Sequence, residues 1–228
     1  NLDPDPKFPF CCSRHYADLI KKAEEPAALL REILPTKEEH QDVPGFVDDP
    51  VGDIPAGKSQ CVIQKYDQRA LIVATPACGV RCRFCFRRNY PFQSNPHVDV
   101  HVGNWLDTHS DIWEVILSGG DPLTLSPGKF QNLIEVISDH SSVTTLRIHS
   151  RLPVMRPDLV MEHFEFLRDM PARFDCVLVS HVDHPDELDE ESLNIFGQFR
   201  YSGWTLLNQS VLLKDVNDNA NTLTKLSR

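Results

Sequence analysis

The chain is 228 residues long, 41% hydrophobic and 25% charged, with a net charge of -10. That composition fits one ordinary soluble domain with a real core and argues against disorder. The acidity argues against broad nucleic-acid or anionic-membrane binding, although Arg81, Arg83, Arg87 and Arg88 form a local basic patch suited to a small anion. No apolar run approaches the roughly 18 residues that a membrane span needs, and the opening NLDPDPKFPF lacks the basic and apolar regions of a signal peptide. A cytoplasmic protein with small-molecule partners, and neither nucleic acid nor membrane among them, is expected. Seven scattered cysteines, at 11, 12, 61, 78, 82, 85 and 176, do not suggest the disulfide framework of a secreted domain.

Residues 16–34 predict helix in two pieces, because Pro26 suits a first turn and would break a helix running through it. From Pro35 to Lys58, prolines at 35, 44, 50 and 55 punctuate irregular wrapping. Beyond Arg69 the runs ALIVAT, EVILS, LRIH, CVLVS and TLLNQSVLL read as five parallel strands separated by segments of helical period. Ser126 and Pro127 predict a helix start, followed by Phe130, Leu133, Ile134 and Ile137 on one face. A second helix is predicted from Pro157, with Val160, Phe164 and Leu167 inward. A third is predicted near Glu190, with Leu193, Phe196 and Phe199 inward and Gly203 ending it. The strand ends fall near Ala77, Ser118, Ser150, His181 and Gln209, at the spacing of a βαβ repeat of roughly 30 residues. In a β/α barrel such ends converge on one pocket.

The segment PACGVRCRFCFRRNYPF places Cys78, Cys82 and Cys85 as Cys-x3-Cys-x2-Cys directly after a strand, so one loop can wrap three thiolates round a metal. A structural zinc site closes with four ligands, which here would require recruiting His97 or His101. An iron-sulfur cubane held by three cysteines instead keeps one iron open to a ligand. Ser118, Gly119, Gly120 and Asp121 form SGGD at a strand end, where absent side chains would let backbone approach a ligand and Asp121 could accept from an ammonium or a ribose hydroxyl. A plain turn is the alternative. Cys11, Cys12, Cys61 and Cys176 read as structural, and Asp183 and His184 as loop residues.

The cysteine spacing, with Phe84 before the last cysteine, resembles the radical S-adenosylmethionine signature. With LSGGDPL, LRIHSRLPV, SHVDHPDELDE and LLNQSVLLKDVNDNANTL, residues 60–228 resemble the lysine 2,3-aminomutase family, and the block from CRFCFRR to NDNA most resembles the branch making (R)-β-lysine for elongation factor P. The resemblance implies an α/β fold, a partial β/α barrel of the radical S-adenosylmethionine type, with five of its six strands in residues 60–228 and residues 1–59 as an N-terminal helical and irregular wrap. It implies an isomerase that converts L-α-lysine to β-lysine with a 4Fe-4S cluster, S-adenosyl-L-methionine and pyridoxal 5'-phosphate.

By the same resemblance Cys78, Cys82 and Cys85 hold the cluster. Ser118, Gly119, Gly120, Asp121, Ser150, Arg151, His181 and Asn208 line the S-adenosylmethionine or substrate pocket. Lys65, Tyr66 and Arg69 surround the phosphate of pyridoxal phosphate and Gln209 is another contact to it, while Arg87 pairs with the substrate carboxylate through its bidentate fork.

The family's lysine that attaches pyridoxal phosphate lies beyond the position of Arg228, so no catalytic residue is assigned and a C-terminal truncation is expected, with turnover by these residues alone not expected. Arg81 and Asn89 stand where the nearest branch tends to have asparagine and histidine. An aminomutase acting on another amino acid or in lysine catabolism is the first alternative, and a non-catalytic zinc protein a distant one. An electron-donor protein is an implied partner. The sequence is silent on its identity and on oligomeric state, leaving a homo-oligomer open.

Overall fold

The structure, a computed structural model, describes residues 1–57, 59, 61–93 and 95–227. Lys58, Gln60 and Arg228, which bound segments named above, lie outside the described residues.

The N-terminal helix pair forms as α1 (Arg14–Lys22) and α2 (Pro26–Ile33). Ser13 accepts from the backbone N–H of Tyr16 to cap α1, and Pro26 sits in the first turn of α2, where its missing N–H costs nothing. A one-turn 3-10 helix at Lys37–His40 interrupts the wrap that follows.

A six-stranded sheet has its strands in chain order: β1 (Val62–Ile63), β2 (Arg69–Thr75), β3 (Glu114–Gly119), β4 (Thr145–Ser150), β5 (Asp175–Ser180) and β6 (Thr205–Asn208). The five predicted strands are parallel to one another, and the unpredicted β1 adds an antiparallel edge by pairing Val62 with Ile72. From β2 to β6 the order never reverses, and crossovers of one hand, right-handed by the general rule for parallel strands, carry those four connections over the same face. Ala70, Ile72, Val115, Leu117, Leu146, Ile148 and Leu178 on that face are sealed, whereas Leu71, Val73, Ile116, Arg147 and His149 on the other are half-buried.

The covering helices are α3 (Val98–Leu106), α4 (Pro127–Ser138), α5 (Leu152–Met155), α6 (Pro157–Arg168) and α7 (Glu190–Tyr201), with α8 (Ala220–Leu226) at the end. Phe130, Leu133, Ile134 and Ile137 of α4 are fully buried as expected. The α7 expectation needs correction in part: Phe199 is buried as expected, but Leu193 is 54% exposed, and Ser192 and Ile195 face the core beside Phe199. Phe164 and Phe196 are only half-buried. The predicted last run also stops early, because the chain leaves the sheet after Asn208 and Val211–Leu213 are not strand. One continuous core joins α1 and α2 to the sheet and its helices. Among the described residues no helix is long and apolar enough to cross a membrane.

Candidate active site

The C-terminal ends of β3 and β4 are tied together through a single carboxylate. Asp121 is buried just past β3 and accepts from the Ser150 hydroxyl at 2.9 Å, from the backbone N–H of Arg151 at 2.8 Å and from that of Leu123 at 3.1 Å. Burial pushes its carboxyl up to about 6. All of these donors come from within the chain.

The glycines beside it join the end of β3 to that of β2. Gly119 lies at φ +124°, and a Cβ on Gly120 would come within 2.6 Å of the Ala77 carbonyl carbon. The backbone N–H groups of Gly120 and Asp121 donate to the Thr75 and Ala77 carbonyls at 2.7 Å each. Glycine is needed here for the close approach to the start of the cysteine loop.

That loop is clamped from outside by the N-terminal wrap. Arg81 and Arg83 donate their backbone N–H to the carbonyls of Cys11 and Glu32, while Glu39 pairs with Arg83 at 2.5 Å and Arg88 at 2.8 Å. Phe8 lies beneath the guanidinium groups of Arg81, Arg83 and Arg88, each about 5 Å from its ring.

Cys78, Cys82 and Cys85 are all free and part-exposed. Burial pushes Cys78 up to about 12 and Cys82 to about 11, and neighbouring thiols of the loop add to both shifts. Among the described residues no group of three or more His, Cys, Asp or Glu side chains is arranged to hold a metal ion. The donor set nonetheless fits a cluster: three unpaired cysteines lie on one loop within electrostatic reach of each other, and Arg151 Nη1 donates to Cys82 Sγ at 2.7 Å. Binding metal would deprotonate the thiols and draw the loop onto it.

Arg151 also pairs with Glu32, Glu187 and, at 3.8 Å, Asp183, all of them buried. The Tyr16 hydroxyl donates to Glu187 at 3.0 Å, and burial with the adjacent Glu187 charge raises Glu32 well above the usual carboxylate range. Burial is the largest influence on Asp183 and opposes its ionisation, but the hydrogen bond from His181 at 2.8 Å, the Arg151 charge and the Val211 backbone N–H together outweigh it and hold the carboxyl low. Phe84 of the cysteine loop stacks on His181 with centroids 5.4 Å apart. Asn208 is exposed and exchanges both amide bonds with the backbone of Val182.

The residues expected round a phosphate fall into two groups. Lys65 pairs with Asp53, which also binds Arg87 at 2.7 Å, and Arg87 Nη1 donates to Ser118 Oγ at 2.9 Å. Arg69 instead pairs with buried Glu114 at 3.0 Å, which Arg147 shares at 2.7 Å. Tyr66 is 70% exposed, and Gln209 bonds His149 at 3.0 Å. Arg69 and Arg147 each keep N–H groups beyond those on Glu114, a donor set that fits a phosphate. Sequence reasoning missed Glu32, Asp53, Glu114, Arg147, His149 and Glu187. Glu32 alone carried a signal, since it lies three and four residues from Leu29 and Ala28 on the apolar face of α2.

No family model matches the chain. Among curated proteins, the chain is 36% identical over 226 residues to the L-lysine 2,3-aminomutase of Escherichia coli, a match that covers 94% of this chain and 63% of that one. It is 36% identical over 215 residues to that of Haemophilus influenzae, covering 93% and 63%. To that of Buchnera aphidicola it is 31% identical over 230 residues, covering 100% of this chain and 67% of that one. An α/β sheet with a cysteine loop at its carboxyl edge thus coincides with a consistent set of relatives. The chain belongs to the lysine 2,3-aminomutase family. It spans 63% of the length of the first two relatives.

Proposed function

We propose that the protein to which this chain belongs is a radical S-adenosylmethionine isomerase moving the 2-amino group of L-lysine to carbon 3, with the sheet of residues 60–228 as its partial barrel and residues 1–59 as a wrap closed over the cysteine loop. The observation that carries this is the loop of Cys78, Cys82 and Cys85, placed after β2 and packed against the SGGD turn after β3. When bound, the cluster with S-adenosylmethionine supplies the hydrogen-abstracting radical, and pyridoxal phosphate carries the migrating nitrogen.

The chain's own residues bind and orient. Cys78, Cys82 and Cys85 would hold the cluster, with Arg151 directed at Cys82. Ser118, Gly119, Gly120, Asp121, Ser150, Arg151, His181 and Asn208 would line the S-adenosylmethionine or substrate pocket, with Asp121 also joining the ends of β3 and β4. Arg87 would take the substrate carboxylate, and Lys65, Tyr66, Arg69 and Gln209 would surround pyridoxal phosphate. A cytoplasmic setting and an electron-donor protein complete the reading.

The finer reading, in which (R)-β-lysine is made for elongation factor P, rests on the block from CRFCFRR to NDNA. Its test is anaerobic turnover of L-lysine by the full-length reconstituted protein, with the product resolved by chirality. Formation of (R)-β-lysine, lost in Cys82→Ala, is expected. The S enantiomer would overturn the branch, and absence of any 3-amino product would overturn the activity.

A further inference from the structure

Asp53 lies in the wrap, between prolines 50 and 55, yet its side chain is only 4% exposed and stands between two cations from other parts of the chain. Its Oδ2 accepts from Arg87 Nε at 2.7 Å, and its Oδ1 pairs with Lys65 Nζ. The acid is itself held in place. Its backbone N–H donates to Asp49 Oδ1 at 2.9 Å, and that of Ile54 donates to Asp49 Oδ2 at 3.0 Å. Lys65 also donates to the carbonyl of Val51 at 2.6 Å, which pins the same turn from the other side.

Arg87 is consequently gripped on two sides, at Nε by Asp53 and at Nη1 by Ser118 Oγ at 2.9 Å. A guanidinium presents five N–H groups in one plane. Fixing these two directions fixes that plane and leaves Nη2, which makes no hydrogen bond among the described residues, with the second N–H of Nη1. Together they form the end-on edge that a carboxylate engages with both oxygens. The charges agree, because Arg87, Lys65 and Asp53 sum to one positive charge, so an incoming carboxylate still meets a net cation.

We propose that Asp53 is a positioning residue for substrate: it orients the buried Arg87 so that the guanidinium edge left without a protein partner receives the α-carboxylate of an amino acid, which makes the N-terminal wrap part of the substrate site. The inference rests on reading Arg87 as the carboxylate-binding group. It assigns Asp53 no contact with substrate.

The test compares equilibrium binding of L-lysine and of cadaverine, its analogue without the carboxylate, to the full-length reconstituted protein. Asp53→Ala is expected to weaken lysine roughly tenfold or more while moving cadaverine by no more than about twofold. In turnover the same variant raises KM with kcat little changed, and Asp53→Glu restores lysine binding to within about threefold of the parent. Equal losses for both ligands, or unchanged lysine binding, would overturn the proposal. Should Asp53→Ala fail to fold, Asp53→Asn, which keeps an acceptor for Nε, must show the same selectivity in smaller measure, and an unselective loss there counts against it. Arg87→Gln separates the two levels. A selective loss of lysine in Arg87→Gln without one in the Asp53 variants sinks only this inference, whereas no selective loss in Arg87→Gln sinks the reading beneath it.

Discussion

Arg151, just past β4, donates from Nη1 to the sulfur of Cys82 at 2.7 Å, so the middle cysteine of the loop after β2 is tied to a strand end two positions across the sheet. The same guanidinium is the cation at the centre of Glu32, Asp183 and Glu187.

Removing that cation would strand three buried carboxylates. Arg151→Met is expected to cost about 3–5 kcal/mol of stability, the range for breaking a buried ion pair from one side. Urea unfolding measures this directly, and an unchanged midpoint would mean that the pairs do not form.

Gly120→Ala tests the join between the SGGD turn and the cysteine loop. The new Cβ would lie 2.6 Å from the Ala77 carbonyl carbon and 2.8 Å from the Pro76 carbonyl oxygen. Both contacts are backbone and cannot rotate away, so a loss of about 1–3 kcal/mol or more is expected. Gly128→Ala, where a Cβ meets nothing within 4 Å, is the control and should change the midpoint little.

His149 gives the fold a pH dependence. Burial lowers it to about 4, with Arg147 and Arg87 adding to the shift and the Gln209 hydrogen bond and Glu114 opposing it. The folded protein keeps it neutral while the unfolded chain protonates near its ordinary 6.5, so its contribution is complete above that pH and is lost as pH falls from 6.5 toward 4. The loss attributable to His149 is about 2–3 kcal/mol. Unfolding midpoints of the parent and His149→Gln across that window should converge as the acid end is approached; parallel curves would contradict the assignment.

On α7 the structure and the simplest periodic reading make opposite predictions. Leu193→Ser, at an exposed site, should stay within about 0.5 kcal/mol of the parent, whereas Ile195→Ala should cost about 2–5 kcal/mol. Thermal unfolding of the two variants decides between them.

That disagreement illustrates what could be read from the residues. The parallel strands and α4 were legible because apolar runs bounded by turn residues, and Ser126-Pro127 before a clean helical face, each point one way. In α3 the valines at 98, 100 and 102 alternate as in a strand, yet Val98, Val102, Trp105 and Leu106 are the buried set, at helical spacing. α8 is polar and buries only Thr222, so no hydrophobic period announces it.

The site divides along the same line. Cys78, Cys82 and Cys85 are close in sequence, and spacing alone groups them. Asp53 reaches Arg87 and Lys65 only through a turn in a proline-rich wrap, and Glu32 meets Arg151 across 119 positions. Such long-range pairs leave no local pattern, and of the acids involved only Glu32, on an apolar helix face, could have been suspected.

The central claim is that the loop after β2 holds an open-iron cluster. Anaerobic reconstitution with iron and sulfide, followed by iron and sulfide analysis and spectroscopy with and without S-adenosylmethionine, tests it most directly. About four irons per chain are expected, with broad absorbance at the violet end of the visible spectrum. The reduced cluster should give an electron paramagnetic resonance signal that changes when S-adenosylmethionine is added, and Cys82→Ala should abolish all of these. Zinc in place of iron, or a cluster that survives loss of Cys82, would contradict the account.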